Sequence, residues 1–442
     1  MKAVQKGSAA ILSLALLASL TACGVKEDKT PASTATAAAT AKTVDSAKPV
    51  KLRIVWWGAQ ARHDATMKAL DLYTKKHPNV TFEPEFSGFD GYFQKLATQA
   101  AAGNAPDIIQ MDAAYLAEYA GRNQLADLSA GVNTADLDKS LLDTGKYKSK
   151  QYAIPLGNNA LGIIYNKAAL EKLGVSAPKS DWTWDDYFKM GQDAKAKLSD
   201  GKFPLLNSLT DYVYYDLYQL GKGKGNAVTI DGKFNIDKTV WTEWVNKHQE
   251  LMKQGVMPPA EKQVTDKVTD PKLDLLLNDT ILVRRAYAAE FPGYDTAKQN
   301  TFGLVKAPRA TQASGYLKPS MFWSVSANSK NTEESKKFID WFINDPEVGD
   351  VLGTTRGIPV AQKVRTSLDS KLTATDKTQI ELISKTAPDA NPFNPGAQGW
   401  GNFQKDYTTI METLMFAKTT PDKAYDELVK KAKEYEKATP AN

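Results

Sequence analysis

The residues of this chain best suited to chemistry are aromatic rings, side-chain amides and guanidinium groups. They recur where predicted strands end. Residues 51–57 (KLRIVWW) read as a short strand that delivers Trp56 and Trp57, stops at Gly58 and opens onto Gln60, Arg62 and His63. Residues 108–111 form a second such run, with Gln110 near its end and Asp112 just beyond it. Asp107, at the start of that run, reads as structural. A strand within 278–288 delivers Arg284, Arg285 and Tyr287, and a Pro/Asn/Gly loop over 392–400 carries Gln398, Gly399 and Trp400. Tyr212, Tyr215 and Tyr218 fall three apart, on one face of a predicted helix. Rings, amides and guanidinium groups stack and exchange hydrogen bonds, which is the chemistry of recognition. Covalent chemistry has little support. No GxSxG, HExxH or phosphate loop is present, and the three histidines (His63, His77, His248) are scattered, so no metal site is expected.

The elements that must position these groups read as follows. Strand 51–57, helix 64–77, a strand through Val80, Phe82 and Phe86, a helix through Tyr92–Ala100 and strand 108–111 alternate as in a parallel sheet covered by helices. Ligands of such sheets bind beyond the carboxyl ends of the strands, which puts Trp56, Trp57, residues 58–64 and residues 110–112 at one rim. Residues 152–166 (YAIPLGNNALGIIYN) look like a core strand broken in the middle. Pro155, Gly157 and the amides Asn158 and Asn159 mark a crossing between two bodies. Residues 356–359 (RGIP) mark a second break. Thr183 and Asp186 are spaced as a capping box, residues 211–220 form an aromatic helix, and the last helix starts at Thr420-Pro421.

Length and composition set the frame. A chain of 442 residues with 42% hydrophobic and 24% charged side chains is a globular protein of two or three domains or one large two-lobed body. The net charge of +5, lowered further if Lys2 and Lys6 are removed, is too small for a nucleic-acid partner. Lys2 and Lys6 precede an apolar run at 9–20, the pattern of a secretory signal too short to span a bilayer. The run ends in LTACG, which resembles a bacterial lipobox. Cys23, the only cysteine, then has a role as the lipidated residue. Residues 24–49 are poor in large apolar side chains and read as a flexible tether.

The patterns in order are LTACG, WWGAQARHDATMKALD, AAGNAPDIIQMD, YAIPLGNNALGIIYNK, WTWDDY, TILVRR, SVSANSKNTEESKKFIDWFINDPE and RGIP. Together they resemble the extracellular solute-binding lipoproteins of bacterial carbohydrate ABC transporters, the group that includes maltodextrin-binding protein. The resemblance covers residues 50–442. It implies an α/β, two-lobed periplasmic-binding-protein-like fold with a hinge and an interlobe cleft. Chain crossings are expected near 155–160, 300–306 and 355–359. It divides the chain into a signal peptide (1–22), the lipidated cysteine and tether (23–49), an N-terminal lobe (50–156 plus 305–357) and a C-terminal lobe (157–304 plus 358–442). Carried over by position, it implies ligand contacts at Trp57, Gly58, Gln60, Asp112, Asn159, Tyr212 and Trp400. Arg62, His63, Asn158, Arg284, Tyr287 and Gln398 are added from their placement. The maltodextrin member has a carboxylate at the position of Asn159, so the ligand here need not be maltodextrin. The run WWGAQARHD is similar to that of members associated with plant-wall oligosaccharides, pectin fragments included, and Arg62, Arg284 and Arg285 could pair a uronate carboxylate.

The resemblance further implies a monomer, lipid-anchored on the outer face of the cell membrane, that binds a sugar without cofactor or catalysis and passes it to transmembrane permease subunits. The chemistry agrees with a sugar. A pyranose offers apolar C–H faces to aromatic rings, with Trp57 and Trp400 as the expected platforms, and a rim of hydroxyls to Asp, Asn, Gln and Arg. Other readings remain open: a receptor for a polyamine or a peptide, a glycoside hydrolase built on two carboxylates, and a purely structural surface lipoprotein.

Overall fold

The computed structural model describes residues 48–58, 60–89, 91–268, 270, 272–397, 400 and 402–438. The expected signal peptide, Cys23, most of the expected tether and Gln398 lie outside the described residues. The strands are β1 (Val50–Trp57), β2 (Val80–Ser87), β3 (Ile108–Met111), β4 (Lys146–Tyr147), β5 (Lys150–Gln151), β6 (Ile154–Pro155), β7 (Asn158–Asn166), β8 (Phe203–Leu205), β9 (Ile281–Tyr287), β10 (Phe302–Lys306), β11 (Leu317–Pro319) and β12 (Phe322–Val325).

Two sheets carry the structure. The first is five-stranded in the order β2-β1-β3-β12-β6. β1 runs parallel to β2 and β3, and β12 runs antiparallel to β3 and β6. The Ile54–Trp57 end of β1 and the whole of β3 are buried on both faces, which is why apolar side chains follow one another there, with Gln110 the one polar exception. The helix Gln60–Lys76 places Ala65, Ala69, Leu70 and Tyr73 inward, in one core with Phe338 and Ile339 of the helix Thr332–Asn344. The second sheet has the order β10-β7-β9-β8, with β11 also paired to β7. Its core is rich in rings, with Tyr187, Tyr214, Tyr215, Trp241, Trp244 and Tyr407 all buried.

The chain passes between the sheets where sequence and packing both permit it. β6 ends at Pro155 in the first sheet and β7 begins at Asn158 in the second. Gly157 between them is required. A β-carbon there would fall 1.8 Å from the Arg356 carbonyl oxygen and 2.3 Å from Ser320 Oγ. The second passage lies later than the sequence suggested. β10, expected within a crossing at 300–306, pairs with β7 over Phe302–Lys306 and belongs to the second sheet. The chain instead crosses between Pro319 of β11 and Phe322 of β12. The third passage is also later. Ile358 bridges to Asn158 as the break at 356–359 implies. The helix Gln362–Leu368 nevertheless still packs on the first lobe's helices, and only the helix Ala374–Thr386 packs on β7 and β10.

Local signals were met closely. Thr183 and Asp186 form a reciprocal capping box at the helix Trp184–Lys195. Asp107 accepts from the Arg53 N–H at 2.9 Å and from Ser329 Oγ at 2.6 Å, tying β3 to the loop after β12, so it is structural.

Candidate functional site

The carboxyl ends of β1 to β3 present the first lobe's side. Trp57 is almost buried, edge-on to Phe89 at 5.4 Å and Tyr92 at 5.0 Å. Phe89, 48% exposed, is the ring of this cluster that solvent reaches, and on the Trp56 side Phe86 is 44% exposed. Arg62 donates from Nη1 to the Trp57 carbonyl and from Nε to the Thr355 carbonyl, each at 3.1 Å. Burial lowers its pKa. It packs over Gly58, where a β-carbon would fall 2.7 Å from Arg62 Cδ. Gln60 is exposed and donates to Asp64 at 2.8 Å. Asp112 caps the helix Ala113–Gly121 by accepting from the Ala114 N–H at 2.9 Å.

Three expected site residues turn elsewhere. His63 is buried on the Trp56 side of β1. There Nδ1 accepts from Trp56 Nε1 at 3.0 Å and the ring stacks on Phe86 at 4.4 Å. Burial, then the Arg62 charge, lowers its pKa. Asn158 is buried and donates to Asp138 at 3.2 Å, on the opposite face of β7 from Asn159. Arg284 is a correction. Its side chain is 7% exposed and pairs with Asp266 and Asp274 at 3.3 Å each, so it is committed to an internal charge cluster and is not presented to a ligand. Arg285 points to the other face and pairs with Asp211 at 2.6 Å.

The second lobe gathers its residues into a pocket of about 260 Å³. Tyr212 comes from the first turn of the helix Tyr212–Gly221, whose N-cap Asp211 accepts from the Val213 and Tyr214 N–H groups. Tyr287 ends β9, and its hydroxyl meets the Tyr316 hydroxyl at 3.1 Å. Trp400 stacks on Tyr435 at 5.4 Å, so one face of the expected platform is already covered. Asp216, Asn226, Lys318 and Asn394 complete the lining with polar groups. Burial pushes the Asp216 carboxyl up to about 6, against hydrogen bonds from the Ala227 N–H at 2.6 Å and Asn226 Nδ2 at 2.8 Å that pull it down. Asn159 stands at the start of β7, its Oδ1 accepting from the Ala289 N–H at 3.1 Å.

Sequence reading missed Asp216, Lys318 and Phe89. A signal existed for Asp216, which lies one helical turn after Tyr212 and shares its face. Lys318 had none, because only the pairing of β11 with β7 sets it opposite Asn159. A wider groove of about 1120 Å³ runs between the helices Lys139–Asp143 and Gln362–Leu368 on one side and Ala374–Thr386 on the other. Phe393 is its single aromatic, so it lacks the clustered rings of the smaller pocket. Among the described residues no group of His, Cys, Asp and Glu could hold a metal ion.

Comparison with known proteins agrees with this architecture. Over 404 residues the chain is 25% identical to a maltooligosaccharide ABC transporter solute-binding lipoprotein of Streptococcus pneumoniae, covering 86% of this chain and 87% of that one. An extracellular solute-binding protein family 1 structure from Alicyclobacillus acidocaldarius superposes with a TM-score of 0.79 at 26% identity, over 88% of this chain and 99% of that one. A periplasmic oligogalacturonide-binding protein from Yersinia enterocolitica shares the fold, with a TM-score of 0.74 at 21% identity over 88% of this chain and all of its own. The model of the bacterial extracellular solute-binding protein family matches residues 68–380. With two α/β lobes, repeated passages between them and that match, the chain belongs to the bacterial extracellular solute-binding protein family.

Proposed function

We propose that this protein is an extracellular receptor for a sugar or oligosaccharide, which it holds in the cleft between its lobes and delivers to the permease of an ABC transporter. The observation that carries this reading is the second-lobe pocket. Tyr212 and Tyr287, both half-buried, supply rings for the C–H faces of a pyranose, with the enclosed Tyr316 and Trp400 packed behind them, and Asp216, Asn226 and Asn394 supply partners for its hydroxyls. Phe89, in the residues after β2, and Arg62, beyond the carboxyl end of β1, are the first-lobe groups that closure would bring onto the same ligand. Lipidation at Cys23 would keep the receptor beside its transporter.

The reading is of a receptor without catalysis. Hydrolysis of a glycosidic bond takes two carboxyl groups flanking it, and Asp216 is the only acid among the residues that line this pocket. The test is calorimetric titration of the folded chain against neutral glucans, mannans, xylans, galactans and uronides, with the mixtures then assayed for products. One-to-one binding with the ligand recovered intact is the expected result. Turnover, or binding of a polyamine or peptide in place of any sugar, overturns it.

A further inference from the structure

The floor of the pocket holds a cation that no acid answers. Lys318 of β11 stands opposite Asn159 of β7, and Leu161 of β7 stands opposite Tyr287 of β9. Side chains alternate along a strand, so Asn159, Lys318 and Tyr287 share one face. Lys318 Nζ lies 4.9 Å from the centroid of the Tyr287 ring. It takes part in none of the ion pairs among the described residues, whereas Arg285 of β9 and Lys306 of β10, in the same sheet, each have an aspartate. An ammonium with no anion rests on an aromatic face as a weaker substitute.

The rest of the face is also short of an acceptor. Asn159 Oδ1 already accepts from the Ala160 N–H at 3.0 Å and the Ala289 N–H at 3.1 Å, which fixes the amide orientation and leaves its Nδ2 donors unused. The one acid lining the pocket, Asp216, is held by Asn226 and Ala227 on another element. Among the described residues the pocket's negative group therefore has its hydrogen-bond donors, and its positive group has an aromatic face but no acid.

We propose that this face is a subsite for a carboxylate on the ligand. An acidic sugar unit would draw Lys318 off the Tyr287 ring, take hydrogen bonds from Lys318 Nζ and Asn159 Nδ2, and leave the ring free to stack on its C–H face. The proposal rests on the sugar reading above and narrows it to oligosaccharides that carry uronate units. Charge-assisted bonds of this kind are about twice as strong as neutral ones, and the preference they confer falls with salt.

The experiment compares digalacturonate with its methyl ester, which keeps the rings and removes the charge, by calorimetry on the whole folded chain. The acid is expected to bind about tenfold or more tighter than the ester. That ratio should shrink toward one in Lys318→Met and persist in Lys318→Arg, with thermal unfolding confirming that each variant is folded. If Lys318→Met fails to fold, the wild-type ratio and its fall with added salt decide. An ester bound as tightly as the acid, or a preference that survives in folded Lys318→Met, overturns the proposal. If neutral oligosaccharides bind and neither uronide does, the carboxylate subsite falls and the sugar receptor stands. If no sugar binds, both fall.

Discussion

Gly157 and Arg356 touch backbone to backbone: a β-carbon on the first would lie 1.8 Å from the carbonyl oxygen of the second. The same oxygen accepts from the Ser320 hydroxyl, and the Ser320 N–H donates to the Gly157 carbonyl at 3.0 Å. Segments from two of the passages and the break at 356–359 are thus fastened at one point.

Gly157→Ala therefore forces backbone apart at the fastening, where no side-chain rotation relieves the contact. The expected loss is about 1–3 kcal/mol, seen as a lower midpoint in thermal or urea unfolding. A midpoint equal to wild type would mean that the three segments are not tightly apposed.

Arg284→Met leaves Asp266 and Asp274 buried without their cation. Removing one partner of such a cluster costs about 3–5 kcal/mol. Ligand affinity of the molecules that remain folded should not change, since Arg284 faces away from the pocket. A stable variant with weakened binding would restore Arg284 to the site.

Phe89→Ser separates binding from stability at the opposite wall. Phe89 is 48% exposed and packs on Trp57 and Phe93, so the loss of stability should stay at about 1 kcal/mol, half that of a fully buried ring. Tyr287→Ala on the second lobe removes the other platform, and either substitution should weaken a sugar by about tenfold, roughly one aromatic contact. Titration of both variants against the sugar identified for wild type is the measurement, and unchanged affinity in both would remove these rings from the site.

Asp216 gives a pH signature whose sign is opposite to that of an ordinary surface carboxylate. Its folded pKa is raised to about 6, so the folded state holds its proton longer than the unfolded chain does. The contribution is fully present below the unfolded value and is lost as pH rises toward and past 6. In Asp216→Asn this loss is absent. The wild type should therefore weaken relative to the variant between about pH 4 and 7, by at most about 3 kcal/mol. Unfolding midpoints at several pH values for both chains would reveal it, and parallel curves would show that Asp216 is no more buried than an ordinary carboxylate.

The sequence was readable where the signal was local. Pro155, Gly157 and the two amides announced the first passage, and Thr183 with Asp186 announced a helix start. It was unreadable where pairing decided the outcome. Residues 302–306 have the composition of a strand in either lobe, and only hydrogen bonding to β7 assigns them to the second sheet. The true passage, Ser320-Met321, carries neither Gly nor an amide. Alternation along β9 showed that Arg284 and Arg285 face opposite ways, but which one is enclosed depends on Asp266 and Asp274, in a loop before β9. Trp57 was expected to be a platform because it ends a strand. The Tyr92–Ala101 helix and the residues before it set Phe89 against Trp57 and cover it.

β12 sits between β3 and β6, in the interior of the first sheet, although it is the last strand of the chain. Every strand of the second sheet, from β7 to β11, precedes it. As the chain emerges from its N-terminus, the sheet begun first is therefore finished last. Until residue 325 has appeared, β3 has no neighbour on its β12 side and an apolar edge stays open. The order of emergence thus delays closure of the N-terminal lobe until all strands of the second sheet have been made.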